Sequence, residues 1–529
     1  MTRDQGSRTG DTARLRVLFV NRMASMERGG GETFDLEMAR HLARMRCEIT
    51  FLSGIPLFGR ARRHVGLQVA GCRLQVKKMD EKESFNLQPS TFNLSSVTLR
   101  APMFPWFPWD RVKGGWRVRV AEFWLFEKLA ARWAWKHRNE FDIIQVCELP
   151  TFVTSFKRLQ VAGCRLQVKE EGRLIHLQPS TFNLQPKLVL RLTAPNVYDP
   201  SGGVQKADAV IASGTTVGKI RAGLRSDCED VPNAVDVERF QVAGEEGGDP
   251  AEIIQHETPP LVGSTFNLQP STCNLLYVAR FQDFKRHDVL IRAFAHVLEE
   301  KPDSRLILVG SGPLERQVKK RVQMDPRPGL GHSATDDVGE VGRGRGTRRD
   351  APGGSGGPAL PKENMLSNEK LDDAISFMGE VPYEQVPGLY ASADIKVISS
   401  DYESFCFSAL EAMASGLPIV STDCGWVPIL IGDTFPPVEK QWYTGAGDAA
   451  GRFDKDEPGR RIRRAPGGVI VGRNDPESLS RAILELAQDE ERRKACGHWN
   501  REKAVREHGW ETSARKLLGV YERVIDKSG

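Results

Sequence analysis

Arg16-Val-Leu-Phe-Val20, Gly29-Gly-Gly31 and Glu48-Ile-Thr-Phe-Leu52 are the three pieces of sequence that decide the fold. The first is a short apolar run with no polar alternation, as expected of a parallel strand buried on both faces. A glycine turn follows. Glu32 to Arg44 then sets Phe34, Met38, Ala39 and Leu42 at helical spacing. The third piece is a second apolar strand. Strand, glycine turn, helix and strand make a βαβ unit of the doubly wound kind.

The alternation returns further on. Leu275 to Val278 is predicted as a strand and Val289 to Glu300 as a helix. Arg305 to Val309 is a strand that runs into Gly310-Ser-Gly-Pro313. Ile395 to Ile398 is a strand, Ser408 to Ala414 a helix, and Pro418 to Thr422 leads into another strand. Two such series predict two doubly wound α/β domains that part near residue 240, an N-terminal one over 15–240 and a C-terminal one over 275–505.

A chain of 529 residues with 40% hydrophobic content is long enough and apolar enough for two such cores. Its 74 basic and 69 acidic residues leave a net charge of only +5, which argues against a nucleic-acid partner. Nine scattered cysteines without a C-x-x-C pair read as reduced intracellular thiols, neither a disulfide framework nor a zinc site. Met1 to Arg14 is polar, without a signal-peptide core, and no apolar run approaches a membrane span. The expected location is cytoplasmic, with peripheral contact at the inner membrane face left open.

Internal repeats interrupt this pattern. Leu67-Gln-Val-Ala-Gly-Cys-Arg-Leu-Gln-Val-Lys77 recurs letter for letter at Leu159 to Lys169. Each copy is followed by Leu-Gln-Pro-Ser-Thr-Phe-Asn-Leu, at Leu87 to Leu94 and at Leu177 to Leu184. A degraded third copy runs from Gln241 to Leu275. Codons exist that make the two arms reverse complements, so a palindromic DNA element inserted in frame three times accounts for them. Near-complementary arms in the coding DNA are the test. Copies separated by unrelated sequence cannot stack as a solenoid. Inserts at about 67–94 and 159–186, and a linker at 241–275, are therefore expected as surface hairpins or disorder. Stretches at about 324–368, rich in Gly, Pro, Arg and Asp, and at about 432–466, polar and charged, read as loop insertions.

The chemistry concentrates in Ser399-Ser-Asp-Tyr-Glu-Ser-Phe-Cys-Phe-Ser-Ala-Leu-Glu411. The segment follows a strand, turns and enters a helix. Ser404 is a candidate cap, and the free amides of the first helical turn suit a diphosphate. At about 1.5 Å per helical residue, Glu403 and Glu411 lie roughly 12 Å apart. That is too far for one acid/base pair and suits two hydroxyl-bearing groups either side of a diphosphate.

The E-x7-E spacing of Glu403 and Glu411 resembles that of retaining glycosyltransferases of family GT4, with the GT-B fold. Gly29-Gly-Gly-Glu32 is similar to the family's glycine loop. Val231-Pro-Asn-Ala-Val-Asp-Val-Glu-Arg-Phe240 is similar to its interdomain segment, and Tyr277-Val-Ala-Arg-Phe-Gln-Asp-Phe-Lys285 to its phosphate strand and loop. The resemblance covers most of the chain once the repeats are set aside. It implies two Rossmann-like domains facing a cleft, with the nucleotide-sugar donor held mainly by the C-terminal domain. The acceptor, a glycan, lipid-linked or small molecule, is then held mainly by the N-terminal one. A final helix within 506–529 is expected to cross back to the N-terminal domain.

The resemblance also assigns roles. Glu403 binds sugar hydroxyls and Glu411 the ribose. Arg280 and Lys285 neutralise the diphosphate leaving group, side chains taking the part of a metal, so no metal or other cofactor is expected. Gly30 and Gly31 admit the donor phosphate or the acceptor, and Gly310 and Gly312 border the nucleotide. Ser404, Phe405, Cys406 and Phe407 complete the donor loop, and Phe377-Met-Gly-Glu-Val381 is expected near the base. The ordinary alternatives are solvated charges, turn glycines and helix-end carboxylates. Departures are Glu403-Ser-Phe-Cys406 where relatives have Glu-Gly-Phe-Gly, and Ala234 for a glycine. Gln145-Val-Cys-Glu148 stands where many carry a histidine. Glu148 is a candidate on the acceptor side or simply a strand end.

Phe104 to Trp135 holds six of the ten tryptophans, interleaved with Arg and Lys. It reads as a helix whose aromatics pack in the core, with a lipid-facing surface as the alternative. Asp454-Lys-Asp456 has the letters of a metal motif inside a charged loop and no more. The reading that results is a hexosyl-transferring enzyme. The alternatives are a GT-B-type nucleotide-sugar epimerase, which needs acid/base residues around the sugar that do not stand out, and a non-catalytic nucleotide-sugar-binding relic.

Overall fold

The computed structural model describes residues 14–22, 30–45, 47–53, 55–56, 68–69, 72–73, 97–100, 103–104, 115–166, 185–193, 199–240, 273–324, 368–432 and 462–527. The N-terminal sheet is built from Leu15–Val20 (β1), Cys47–Leu52 (β2), Val97–Arg100 (β3), Ile143–Cys147 (β4), Lys187–Leu192 (β5), Ala209–Ala212 (β6) and Glu229–Asp230 (β7). Its spatial order is β7-β6-β5-β4-β1-β2-β3, all parallel. The C-terminal sheet uses Asn274–Val278 (β8), Arg305–Val309 (β9), Ile375–Gly379 (β10), Ile395–Ile398 (β11), Ile419–Thr422 (β12), Ile462–Ala465 (β13) and Gly468–Val471 (β14). Its order is β10-β9-β8-β11-β12-β14-β13, parallel except for the β13–β14 pair.

Each sheet starts in its middle, winds one way, then reverses. The reversal falls between β1 and β4 in one domain and between β8 and β11 in the other. A gap opens at such a point beyond the carboxyl ends of the strands, because the connecting helices leave to opposite faces. The strands are buried on both sides: Val17, Leu18, Phe19, Leu275, Leu276, Ile395 and Val397 have no appreciable exposure.

Helices cover both faces: Gly30–Arg44 (α1), Gly115–Lys136 (α2), Pro150–Leu166 (α3), His287–Glu300 (α4), Phe407–Ala414 (α5), Pro476–Gln488 (α6), Glu490–Glu507 (α7) and Trp510–Asp526 (α8). Helix α8 packs Leu517, Val520, Tyr521 and Val524 into the N-terminal core, although the chain reaches it from the C-terminal domain. The Tyr521 hydroxyl donates to Gln145 Oε1 at 2.6 Å. Arg501 Nη1 ties the crossing together by donating to the carbonyls of Val237, Phe240 and Ala414 at 2.5, 3.2 and 2.8 Å.

Four expectations need correction. Helix α1 begins at Gly30, so Gly30 and Gly31 form its first turn and are not part of the turn before it. Free amides at a helix start need no side chain, and glycine is tolerated there. The repeats are not uniformly surface hairpins. Gln68–Val69 pairs antiparallel with Cys72–Arg73, but the identical residues of the second copy, to Leu166, continue α3 as helix. The third copy ends inside the core, with Cys273 buried just before β8 and Asn274 and Leu275 buried on it. Ile462–Ala465, placed in a loop excursion, is an edge strand. The remaining insert residues, and Asp454-Lys-Asp456, lie outside the described residues.

Helix α2 divides its aromatics. Phe126, Ala130, Ala131 and Ala134 are buried, and Trp133 and Trp135 pack at the core's margin. Trp124 is 50% exposed, with Lys128 Nζ 3.5 Å from its ring centroid. Among the described residues no helix is long and apolar enough to cross a membrane.

Candidate active site

Strand β8 ends at Val278 and the chain turns through a short 3-10 turn, Asp283–Lys285. The turn is anchored from below. Ser399 Oγ donates to the carbonyls of Lys285 and Arg286 at 3.0 and 3.1 Å, and the Tyr277 hydroxyl donates to that of Lys285. Asp401 N donates to Phe284 O at 2.8 Å, joining this loop to the one after β11. The two loops flank the reversal point of the C-terminal sheet.

Lys285 Nζ lies 2.5 Å from Glu403 Oε1, with 17% and 11% of the two side chains exposed. Ser400 Oγ donates to the same oxygen at 2.8 Å. Burial pulls the Lys285 ammonium down, but the charge and hydrogen bond of Glu403 outweigh it and leave it above its ordinary value. The pair is mostly shielded and lies beside the reversal point of the C-terminal sheet.

Glu411 stands on α5, partly exposed, and accepts from the Tyr390 hydroxyl at 2.8 Å. Burial raises its carboxyl to about 7, against the pull of Tyr390, Lys396 and Arg239. Helix α5 starts only at Phe407, so the helical rise assumed between Glu403 and Glu411 applies to its last four residues alone. Ser404 does not cap α5. Cys406 occupies the cap position in the left-handed region, φ 76°, with no side-chain cap bond. That is where a glycine is at ease, and the cysteine bears strain there. Burial, then Glu403, pushes the Cys406 thiol up to about 11.

Other predicted residues have mixed fates. Arg280 is exposed and makes no hydrogen bond or ion pair with the Lys285–Glu403 cluster. Gly310, φ 126°, brings its backbone so close to the Arg280 loop that a Cβ would meet Ala279 O at 2.2 Å; one on Gly312 would meet Phe281 N and O. Phe405 is buried in the C-terminal domain, and Phe407 packs against the N-terminal core. Ser404 meets the other domain through its carbonyl, which accepts from Thr215 Oγ1 at 3.1 Å. Gly379, φ 67°, ends β10 and accepts from Gly310 N at 2.8 Å. Glu148, φ 55°, ends β4 with its carboxylate exposed and bound by Thr193 N at 3.1 Å and by the Thr193 hydroxyl. Gly30 and Gly31 open α1 beyond β1, at the reversal point of the N-terminal sheet.

Sequence reading missed two residues. Gly425, φ 55°, presses against the backbone of Glu403, and a Cβ there would meet Glu403 O at 1.6 Å. Lys396 sits inside β11 with no exposed surface, and its Nζ has no hydrogen-bond partner. The signal for Lys396 was available: a lysine between two buried β-branched residues, Ile395 and Val397, in a strand covered on both faces.

Residues 268–324 and 353–443 match the family model described as glycosyl transferases group 1. D-inositol 3-phosphate glycosyltransferase of Corynebacterium kroppenstedtii is 26% identical over 254 residues, 48% of this chain and 41% of that protein. Spore coat protein SA of Bacillus subtilis is 21% identical over 392 residues, 73% of this chain and 79% of that one. The chain spans about half the length of several curated relatives it matches. Among solved structures, sucrose-phosphate synthase from Thermosynechococcus elongatus superposes with TM-score 0.57 at 14% identity, covering 97% of this chain and 100% of that one. Anabaena HepE in complex with UDP and glucose gives TM-score 0.53 at 13% identity, covering 96% and 100%. The fold is therefore GT-B, two Rossmann-like domains across a cleft, and its C-terminal half carries the pattern of the group 1 glycosyl transferases.

Proposed function

We propose that the chain is a glycosyltransferase that moves a hexosyl group from a nucleotide-sugar to an acceptor with retention of configuration, using no metal or other cofactor. The observation that carries this is the Lys285–Glu403 pair at the reversal point of the C-terminal sheet, with Glu411 on the adjoining helix. A diphosphate arriving there takes the Lys285 ammonium as its counter-ion, and Arg280 stands exposed on the loop beside it. Glu403 is released to accept from sugar hydroxyls, and Glu411 to accept from the ribose. Concentrated positive charge stabilises the diphosphate as its bond to the anomeric carbon breaks. The bond from that carbon to the acceptor oxygen forms on the same face, and the acceptor's proton leaves with the phosphate.

The acceptor, a glycan, lipid-linked or small molecule, comes from the N-terminal side, past the start of α1 and Glu148. The half-exposed Trp124 of α2 suits peripheral contact with a membrane bearing such a substrate. Similarity to a D-inositol 3-phosphate glycosyltransferase and to a GDP-mannose-dependent mannosyltransferase supports the class of reaction.

Calorimetry with UDP-glucose, GDP-mannose and ADP-glucose tests donor binding. One of the three is expected to bind and to release its nucleoside diphosphate when acceptor is supplied, at the same rate in EDTA. Failure of all three to bind rejects the donor site. A product whose anomeric carbon is inverted, read by proton NMR, rejects retention, and loss of activity in EDTA rejects the metal-free reading.

A further inference from the structure

Lys396 occupies a costly position. It lies at the centre of β11, without exposure, where an aliphatic residue would serve the sheet better. Its Nζ makes no hydrogen bond and sits 5.7 Å from the Tyr277 ring centroid and 5.6 Å from that of Tyr390. Two aromatic faces stabilise an ammonium without neutralising it. Tyr390 in turn donates to Glu411 at 2.8 Å. The lysine therefore underlies the donor site, one ring away from the carboxylate on α5.

We propose that Lys396 is a positioning residue: its buried charge favours the ionised form of Glu411, so that both carboxylate oxygens can accept hydrogen bonds from the ligand. The ligand's identity as a sugar nucleotide rests on the function proposed above; the charge coupling does not.

Lys396 faces the rings of Tyr277 from β8 and Tyr390 from the helix Val386–Ala391; through space it feels Cys406 and Glu403 from the loop after β11, Glu411 from α5, and Lys285, which opposes it. Glu411 is met by Tyr390, Lys396 and Arg239, and its charge is felt by Tyr383. Burial lowers the ammonium to about 8 and raises the Glu411 carboxyl to about 7. Near neutral pH the lysine is thus mostly charged while Glu411 is close to its midpoint. Taking the positive charge away moves that midpoint up, so Glu411 becomes a neutral acid at pH 7 and regains its charge only in alkali.

Lys396→Met tests this, since methionine fills the space without charge. The Glu411 carboxyl, followed by 13C NMR in ligand-free protein and assigned with Glu411→Gln, is expected to titrate about one pH unit or more higher than in the wild type. Affinity for whichever of UDP-glucose, GDP-mannose or ADP-glucose the wild type binds is expected to fall about fivefold or more at pH 7 and to recover at pH 9. An unchanged Glu411 midpoint, or a loss of affinity equal at both pH values, overturns the proposal. Coupling is reciprocal. Glu411→Gln should therefore lower the Lys396 midpoint, read by 15N NMR, and no change there overturns the proposal even if Lys396→Met does not fold. If no nucleotide-sugar binds the wild type, the functional reading fails, and the two titrations still decide the coupling.

Discussion

Lys285 and Glu403 are worth most together. Removing the lysine leaves Glu403 in a mostly shielded place with only Ser400 to bond it. An uncompensated carboxylate of this kind costs about 3 kcal/mol. Lys285→Ala should therefore lose most transfer, about 100-fold or more in kcat, and also melt earlier in urea. Glu403→Gln should lose transfer equally and also melt earlier than the wild type, because it leaves the shielded Lys285 ammonium facing a neutral amide. Wild-type rates in both variants would discard the site. His287 gives a pH prediction. It is buried, stacked on Phe281 with centroids 4.1 Å apart, and neither ring nitrogen has a partner. Burial lowers it to about 4. The unfolded chain binds the proton near 6.5, so this histidine's contribution is complete above that pH and is lost as pH falls from 6.5 towards 4. His287→Phe keeps the stack and should gain about 2 kcal/mol more at pH 5 than at pH 8. Equal gains in urea melts at the two pH values would show that no proton is involved.

At the scale of elements, one peptide adopts two structures. The repeat pairs Gln68–Val69 antiparallel with Cys72–Arg73 in one copy and is helix at the end of α3 in the other. Its own preferences cannot choose both. In α3 the choice is made upstream: Phe152, Val153 and Phe156 anchor the first turns in the core, and the repeat extends a helix already nucleated. Val161, in the repeat, is 58% exposed. Val161→Gly should then cost about 1 kcal/mol or less and Phe156→Ala about 3 to 5 in denaturant melts. A larger loss at Val161 would mean that the repeat had become part of the core. The third copy has done so, with Leu275 fully buried on β8.

The two domains are one mechanical unit at two places. At the crossing, Arg501 closes three carbonyls and α8 delivers Tyr521 to the buried Gln145. At the cleft, Thr215 meets Ser404, within the loop that carries Glu403. Tyr521→Phe strands Gln145 Oε1 in a buried site and should cost about 1 to 3 kcal/mol. Unfolding of the N-terminal domain, followed by hydrogen exchange of β1 and β4, should show that loss. Unchanged exchange there would mean that α8 contributes apolar contact alone.

The sequence determined the strand–helix alternation of a doubly wound fold in both halves, because strands buried on both faces and amphipathic helices announce themselves through periodicity. It also offered Lys285, Glu403 and Glu411 as candidates, through an E-x7-E spacing and a loop after β8 that resemble those of retaining glycosyltransferases. Tertiary structure alone decided what lies beneath and beside them. Gly425, 22 residues beyond Glu403, braces it only because β11 and β12 are neighbours. Lys396 takes its meaning from rings supplied by β8 and the helix Val386–Ala391. Local pattern fixes a residue's burial. Its partners are fixed by which strands lie side by side, and that information is shared across the whole chain.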